Sequence, residues 1–219
     1  MTLSQALESG NPPEQLSGPL WVFPPNRDCD GGTAWWLGCD PEPVLIDCPP
    51  LTTTTLEALK QLASGRTARI LLTSREGHGR VRAFQDALGW PVLVQEQEAY
   101  LLPGLTSLDS FVDQHTTAAG LRLLWTPGPT PGSCVVFAPD PWNVLFCGRL
   151  LIPVAFVQLA RLPHRRTFHW LASSEACKNC ANGFLQIQGL HWLLLLPLGL
   201  SEERSWPHGM PGNCRQISE

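Results

Sequence analysis

A loop rich in proline and glycine, followed by two short apolar runs, constrains the fold of this chain more than any other stretch. Residues 126–133 read TPGPTPGS, a composition that continues neither a helix nor a strand. The apolar runs at 134–137 and 144–147 are joined by a segment that contains Asp-Pro-Trp-Asn, which is typical of a turn. The pattern predicts a loop, a strand, a turn and a second strand, with Gly148 at a close backbone approach.

The rest of the chain alternates between strand and helix patterns. Apolar runs at 20–23 and 33–37 flank a turn-rich segment and predict a hairpin, and VLID at 44–47 predicts a third strand. Leucines spaced for one helical face follow Thr52, a residue suited to begin a helix. The further predictions are helices at 81–88 and 96–102, strands at 69–73, 91–94 and 190–197, and a loop at 103–120.

Length and composition predict one domain with a sizeable core. The chain has 219 residues, of which 43% are hydrophobic and 16% charged, so disorder is not expected. A net charge of -4 gives no electrostatic basis for binding nucleic acid. The N-terminus lacks the pattern of a signal peptide, and no apolar run reaches the ~20 residues that span a bilayer. We therefore expect a soluble, cytoplasmic protein.

The stretch 125–151 resembles the metallo-β-lactamase fold, whose members carry a loop like HTPGHTPGS and a later segment like LFTGD. Here these read TPGPTPGS and LFCGR. Three more segments are similar to family motifs in the same order: VLID, the segment TSREGHG in place of THxHxDH, and LPLG in place of LPGHG. The resemblance implies an α/β (α+β) four-layer αβ/βα sandwich over residues 19–200, with a loose tail at 1–18 and another at 201–219.

The resemblance also implies that most metal ligands of the family are replaced. Family members hold two zinc or iron ions with histidine and aspartate, and these ions activate a water molecule for hydrolysis. Proline and leucine cannot bind a metal, and arginine is a cation at any relevant pH. A one-residue slip of the TSREGHG segment would still place His78 on a family histidine. The residues that stand at the family's metal positions are Ser74, Glu76, His78, Gly79, Pro129, Arg149 and Leu198.

Two interpretations of the emptied pocket remain open. Glu76 and His78 could act as metal ligands or as a general acid and base. Alternatively, Arg149 forms a salt bridge with Glu76 across the pocket, and this is the interpretation that we favour.

A second group of candidate residues lies near the C-terminus. Cys177 and Cys180 have the CxxC spacing of metal and redox sites, and His169 and His191 flank them. Buried structural thiols, a metal site of the four side chains and a redox pair are all open alternatives.

The sequence thus favours a pseudoenzyme: a metallo-β-lactamase-like protein that has lost hydrolase activity and binds an unknown protein partner or a small ligand. No cofactor is expected, although zinc or iron remains an alternative. The competing hypotheses are a hydrolase with a single-metal site at Glu76, His78 and perhaps Asp47, and a thiol protein based on Cys177 and Cys180. No interaction with nucleic acid and no membrane span are expected.

Overall fold

A computed structural model describes residues 10–139, 141–150, 152–155 and 158–160. The first of its sheets has seven strands that follow one another in chain order. Strands β1 to β4 pair antiparallel, and β4 to β7 pair parallel. The strands are β1 Glu14–Ser17, β2 Leu20–Asn26, β3 Gly32–Leu37, β4 Val44–Ile46, β5 Arg69–Leu71, β6 Val92–Gln95 and β7 Leu108–Phe111.

Helices provide the crossovers that the parallel strands require. Helix α1, Thr53–Ala63, lies between β4 and β5, and α2, Val81–Leu88, lies between β5 and β6. The short helix α3, Glu96–Ala99, follows β6. The Thr52 side chain accepts a hydrogen bond from the Thr55 N–H, which is the predicted cap of α1. No helix in the described part of the chain is long and apolar enough to cross a membrane.

The second sheet is antiparallel, with the strand order β11-β10-β9-β8. The predicted pair of strands after the TPGPTPGS loop is confirmed, because Val136 of β10 lies opposite Phe146 of β11. A separate two-stranded sheet follows. The bounds are β8 Gln114–Thr116, β9 Arg122–Trp125, β10 Cys134–Ala138, β11 Val144–Phe146, β12 Ile152–Ala155 and β13 Gln158–Ala160.

Two apolar cores separate the layers. Neighbouring tryptophans of β3 point to opposite faces of the sheet, so Trp35 packs against Phe146 of the second sheet, whereas Trp36 belongs to the core that contains Phe84 of α2. The helices therefore cover one face of the first sheet, and the second sheet covers the other. The site described below lies at the end of the strands, where the loops between these layers meet.

Several strands were not predicted from the sequence, among them β1, β7 and β8. Residues 103–120 were interpreted as loop, but β7 pairs with β6 and β8 pairs with β9 there. The segment 14–17 was assigned to the loose tail, but it forms β1. All three lie at sheet edges and carry many polar, exposed side chains, so the apolar alternation that indicates a strand is absent. The boundaries at residues 18 and 200 remain predictions.

Candidate functional site

Three loops line an open cleft of about 300 Å³, and a fourth is bonded to two of them. The first three are the turn after β2, the loop after β5 and the TPGPTPGS loop between β9 and β10, and the fourth is the turn after β11. Arg149, from the last of these, contacts the first two loops as described below. The residues that line the cleft are Asp28, Asp30, Arg75, Glu76, Pro129, Thr130 and Pro131.

Arg149 connects two of these loops to the end of β11. Its Nη2 donates hydrogen bonds to the carbonyl oxygens of Cys29 and Asp30, the latter at 2.9 Å. Its Nε lies 3.5 Å from Oε2 of Glu76, so the predicted Arg149–Glu76 salt bridge is confirmed. Gly148, which precedes Arg149, has a φ of 53°, and a Cβ there would lie 2.7 Å from Oγ1 of Thr73. The predicted close backbone approach at Gly148 is therefore also confirmed.

Asp47 connects β4 to β5 through both of its carboxylate oxygens. Oδ1 accepts from the Thr73 N–H at 2.8 Å, and Oδ2 accepts from the Thr73 hydroxyl at 2.7 Å. Burial raises the pKa of Asp47 to about 6, although the hydrogen bonds from Thr73 and the nearby charge of Arg149 act in the opposite direction. Because both oxygens have partners in Thr73, Asp47 acts as a structural brace between the ends of β4 and β5.

The remaining predicted residues of the loop after β5 are also located. Ser74 is buried, and neither its Oγ nor Nε2 of His78 has a hydrogen-bond partner among the described residues. Glu76 belongs to a 3-10 turn, Arg75–Gly77, and lines the cleft. Gly79 has a φ of 46° and lies against Cys29 and Cys48. The candidates Leu198, Cys177, Cys180, His169 and His191 lie outside the described residues.

The half-buried imidazole of His78, whose Nε2 is shielded from solvent, predicts a pH dependence of stability. Burial, together with the charge of Arg75, lowers the pKa of His78 from 6.5 to about 4. The unfolded chain then binds the proton more tightly, so the free energy of unfolding falls as the pH drops from 6.5 towards 4. Asp47 acts in the opposite direction, because its raised pKa favours folding at low pH and this contribution is lost as the pH rises through about 6.

We therefore expect His78→Gln to remove only the first contribution. Relative to His78→Gln, the free energy of unfolding of the wild type should rise by about 2 kcal/mol between pH 4.5 and 7. Urea unfolding at each pH measures this difference. His115→Gln, in β8, is the control for replacing a histidine outside the loop after β5. A difference that stays constant with pH would contradict the effect assigned to His78.

Glu98 is a site residue that sequence reasoning missed. Its side chain, in α3, is fully buried and accepts a hydrogen bond from the TPGPTPGS loop. Oε1 accepts from the Gly132 N–H at 2.9 Å, and Oε2 accepts from Nε of Arg75 at 3.2 Å. The loop is further fixed by Trp125, whose indole N–H donates to the Pro131 carbonyl at 2.8 Å. The Pro129 segment of the cleft is thus a rigid wall.

Four cysteines of the described segments, Cys29, Cys39, Cys48 and Cys134, are free and buried. Burial raises the pKa of Cys39 to about 11 and that of Cys29 to about 12. The pKa values of Cys48 and Cys134 are also raised, for the same reason. The thiolate is the reactive form of cysteine, so these thiols should be inert in the folded protein.

Alkylation with iodoacetamide, followed by peptide mapping, tests this prediction. Cys29, Cys39, Cys48 and Cys134 should stay unmodified at pH 8 in the native protein and should be fully modified in urea. Rapid native modification of Cys29 or Cys48 would show that the turn after β2 opens, against the contacts described above.

The residues present do not fit the metal centre that the resemblance implies. No three His, Cys, Asp or Glu side chains among the described residues are placed to hold a metal ion. Asp47 is engaged by Thr73, and Glu76 is paired with a guanidinium. A metal ion would have to displace or lie beside the permanent positive charge of Arg149.

The comparison with solved structures identifies the fold. The chain superposes on the DIM-1 metallo-β-lactamase exposed to ceftazidime with a TM-score of 0.64 and 13% identity, covering 84% of this chain and 86% of that one. A metallo-β-lactamase from Pontibacter korlensis gives a TM-score of 0.59 with 18% identity, over 80% and 86% of the two chains. An archaeal metallo-β-lactamase superfamily protein from Sulfolobus tokodaii gives 0.56 with 13% identity, over 75% and 76%.

No protein-family model and no curated protein matches the chain. The structural likeness confirms the predicted mixed αβ/βα sandwich of the metallo-β-lactamase type. Sequence identities below 20% in these comparisons show the fold alone.

Proposed function

We propose that this chain, with its metallo-β-lactamase fold, is a non-catalytic binding or scaffold protein whose cleft receives a protein partner or a small ligand. The observation that carries the proposal is the position of Arg149. Its guanidinium takes up the Glu76 carboxylate and two backbone carbonyls beside the cleft, so a fixed cation stands where the resemblance places a metal-bridging aspartate.

Loss of ligands at separate positions supports the same proposal. Pro129 stands on the cleft wall in place of a histidine and has no donor atom in its side chain. Metal binding in this fold requires several neutral imidazoles and carboxylates on one side of the pocket. The cleft itself persists, with two prolines on one wall and carboxylates on the other, so the scaffold retains a concave surface for binding.

A hydrolase with a single-metal site is the alternative that a specific observation favours. Nε2 of His78 is a buried nitrogen without a hydrogen-bond partner among the described residues, as a vacant ligand would be. Its two proposed companions, Asp47 and Glu76, are already engaged by Thr73 and Arg149. The non-catalytic proposal is therefore the better supported. Cys177 and Cys180, on which the metal or redox hypothesis depends, lie outside the described residues.

Elemental analysis of protein purified without a chelator distinguishes the non-catalytic proposal from the two metal-binding alternatives. We expect no stoichiometric zinc, iron or manganese in the wild type or in the Cys177→Ser/Cys180→Ser variant. Metal in both would contradict the proposal, and its loss in Glu76→Gln or His78→Gln would identify the alternative site. Metal lost only in the cysteine variant would move the functional centre to residues 177–180.

A hydrolysis assay tests the lack of activity directly. One of the similar structures is an enzyme exposed to ceftazidime, which makes this compound a suitable probe. With zinc supplied, ceftazidime should disappear no faster in the presence of this protein than in buffer. Turnover that depends on Glu76 or His78 would support the hydrolase alternative.

The proposal includes a cytoplasmic location. The support is the state of four cysteines, because Cys29, Cys39, Cys48 and Cys134 are free and buried rather than paired in disulfides. The net charge of -4 gives no reason to propose a nucleic-acid partner.

A further inference from the structure

We infer that the guanidinium of Arg149 is the structural cation of this pocket, holding together loops that a metal centre would otherwise connect. This role is independent of what the cleft binds. The inference rests on the number of chain segments that one side chain joins, because the guanidinium contacts both the turn after β2 and the loop after β5.

Three distant segments converge on the guanidinium. The turn after β2 contributes the carbonyls of Cys29 and Asp30, which lie 120 and 119 residues from Arg149 in the sequence. The loop after β5 contributes the carboxylate of Glu76. The third segment is the turn after β11, which carries Arg149 itself. Interactions across such separations help to fix the relative positions of the loops, together with the Cys29 thiol, which donates to the Cys48 carbonyl at 3.1 Å.

The geometry uses properties that are specific to a guanidinium. One nitrogen, Nη2, donates to two carbonyl oxygens, and a second nitrogen, Nε, lies beside the Glu76 carboxylate. A lysine ammonium is a compact charge on a flexible stem and cannot present donors in this fixed pattern. The site is also well protected, since the side chains of Arg149 and Glu76 are only 28% and 17% exposed.

The other ion pair at the turn after β2 is much more open to solvent. Nε of Arg80 lies 3.0 Å from Oδ2 of Asp28, but these side chains are 60% and 42% exposed. Exposed pairs of this kind add little stability. Arg80 therefore provides a matched control, because it contacts the same turn through a solvent-exposed ion pair.

Chemical rescue tests the inference. Arg149→Ala should lower the Tm by about 5–10 °C, because charge-assisted hydrogen bonds and a half-buried ion pair are lost. Guanidinium chloride at low millimolar concentration should raise the Tm of Arg149→Ala relative to NaCl of the same ionic strength. It should not raise the Tm of wild type or of Arg80→Ala. Failure of guanidinium to raise the Tm of Arg149→Ala would overturn the inference.

Amide hydrogen exchange locates the effect within the fold. The Gly31 N–H donates to the Asn26 carbonyl, and the Gly77 N–H donates to the Ser74 carbonyl, so both loops carry protected amides. In Arg149→Ala these amides should exchange about tenfold faster or more, while the amides of β10 keep their relative protection. Uniformly faster exchange across the sheets would show that Arg149 stabilises the whole fold rather than these two loops, and it would overturn the inference.

A second variant covers the case in which Arg149→Ala does not fold. Arg149→Lys keeps the charge and most of the side chain but loses the fork of donors. It should still show faster exchange at Gly31 and Gly77 than wild type. Exchange equal to that of wild type would mean that any cation suffices, and it would overturn the assignment of a guanidinium-specific role.

Discussion

Gly77→Ala is expected to destabilise the protein by about 3 kcal/mol, because the added methyl group has no space. A Cβ at Gly77 would lie 2.1 Å from Oδ1 of Asp47 and 2.4 Å from its Cγ. Asp47 cannot simply move away, since both of its oxygens are held by Thr73. The substitution should therefore break the brace between β4 and β5, and urea unfolding measures the loss.

A double-mutant cycle shows whether this contact is the cause. In Asp47→Ala/Gly77→Ala the colliding carboxylate is absent, and the nearest remaining atom of residue 47 is a Cβ 3.1 Å away. The double variant should be more stable than the sum of the single effects predicts, by about 1–2 kcal/mol. Additive effects would show that Gly77→Ala acts through some other neighbour.

Glu98→Ala is expected to cost about 3 kcal/mol and to loosen the wall of the cleft. The substitution leaves the buried Gly132 N–H without its acceptor and removes the partner of Arg75. It also opens a cavity under the TPGPTPGS loop, because the Glu98 side chain is fully buried. Urea unfolding, with hydrogen exchange of the loop amides, measures both consequences.

Glu98→Gln is the matched control for this prediction. The amide keeps an oxygen that can accept from the Gly132 N–H and fills nearly the same volume, while the ion pair with Arg75 is lost. Because Arg75 is partly exposed, we expect a cost of only about 1 kcal/mol. Equal costs for the alanine and glutamine variants would show that the hydrogen bond to Gly132 contributes nothing.

The sequence predicted those helices and strand pairs that are determined by residues close together in the chain. The helix at Val81–Leu88 was predicted with both of its ends, and the cap at Thr52 follows from a threonine before a leucine-rich face. The turn chemistry before Val144 predicted the pairing of β10 with β11. In each case the relevant residues lie within a few positions of one another.

Contacts that depend on sheet register could not be read in the same way. Glu98 and Gly132 are 34 residues apart, and no spacing in the sequence indicates that one accepts a hydrogen bond from the other. The brace between Asp47 and Thr73 likewise depends on the pairing of β4 with β5. The salt bridge of Arg149 with Glu76 was predictable only because the resemblance placed both residues in one pocket.

Thermal unfolding with and without metal tests the central claim that this pocket holds a guanidinium instead of a metal ion. Wild type and the Cys177→Ser/Cys180→Ser variant should each give the same Tm in EDTA and in excess zinc. A metal ion that binds the folded protein and is present at a free concentration of a thousand times its Kd would raise the free energy of unfolding by about 4 kcal/mol. This corresponds to an increase in Tm of about 8–16 °C. A zinc-dependent rise that persists in the cysteine variant and is lost in Glu76→Gln would contradict the claim.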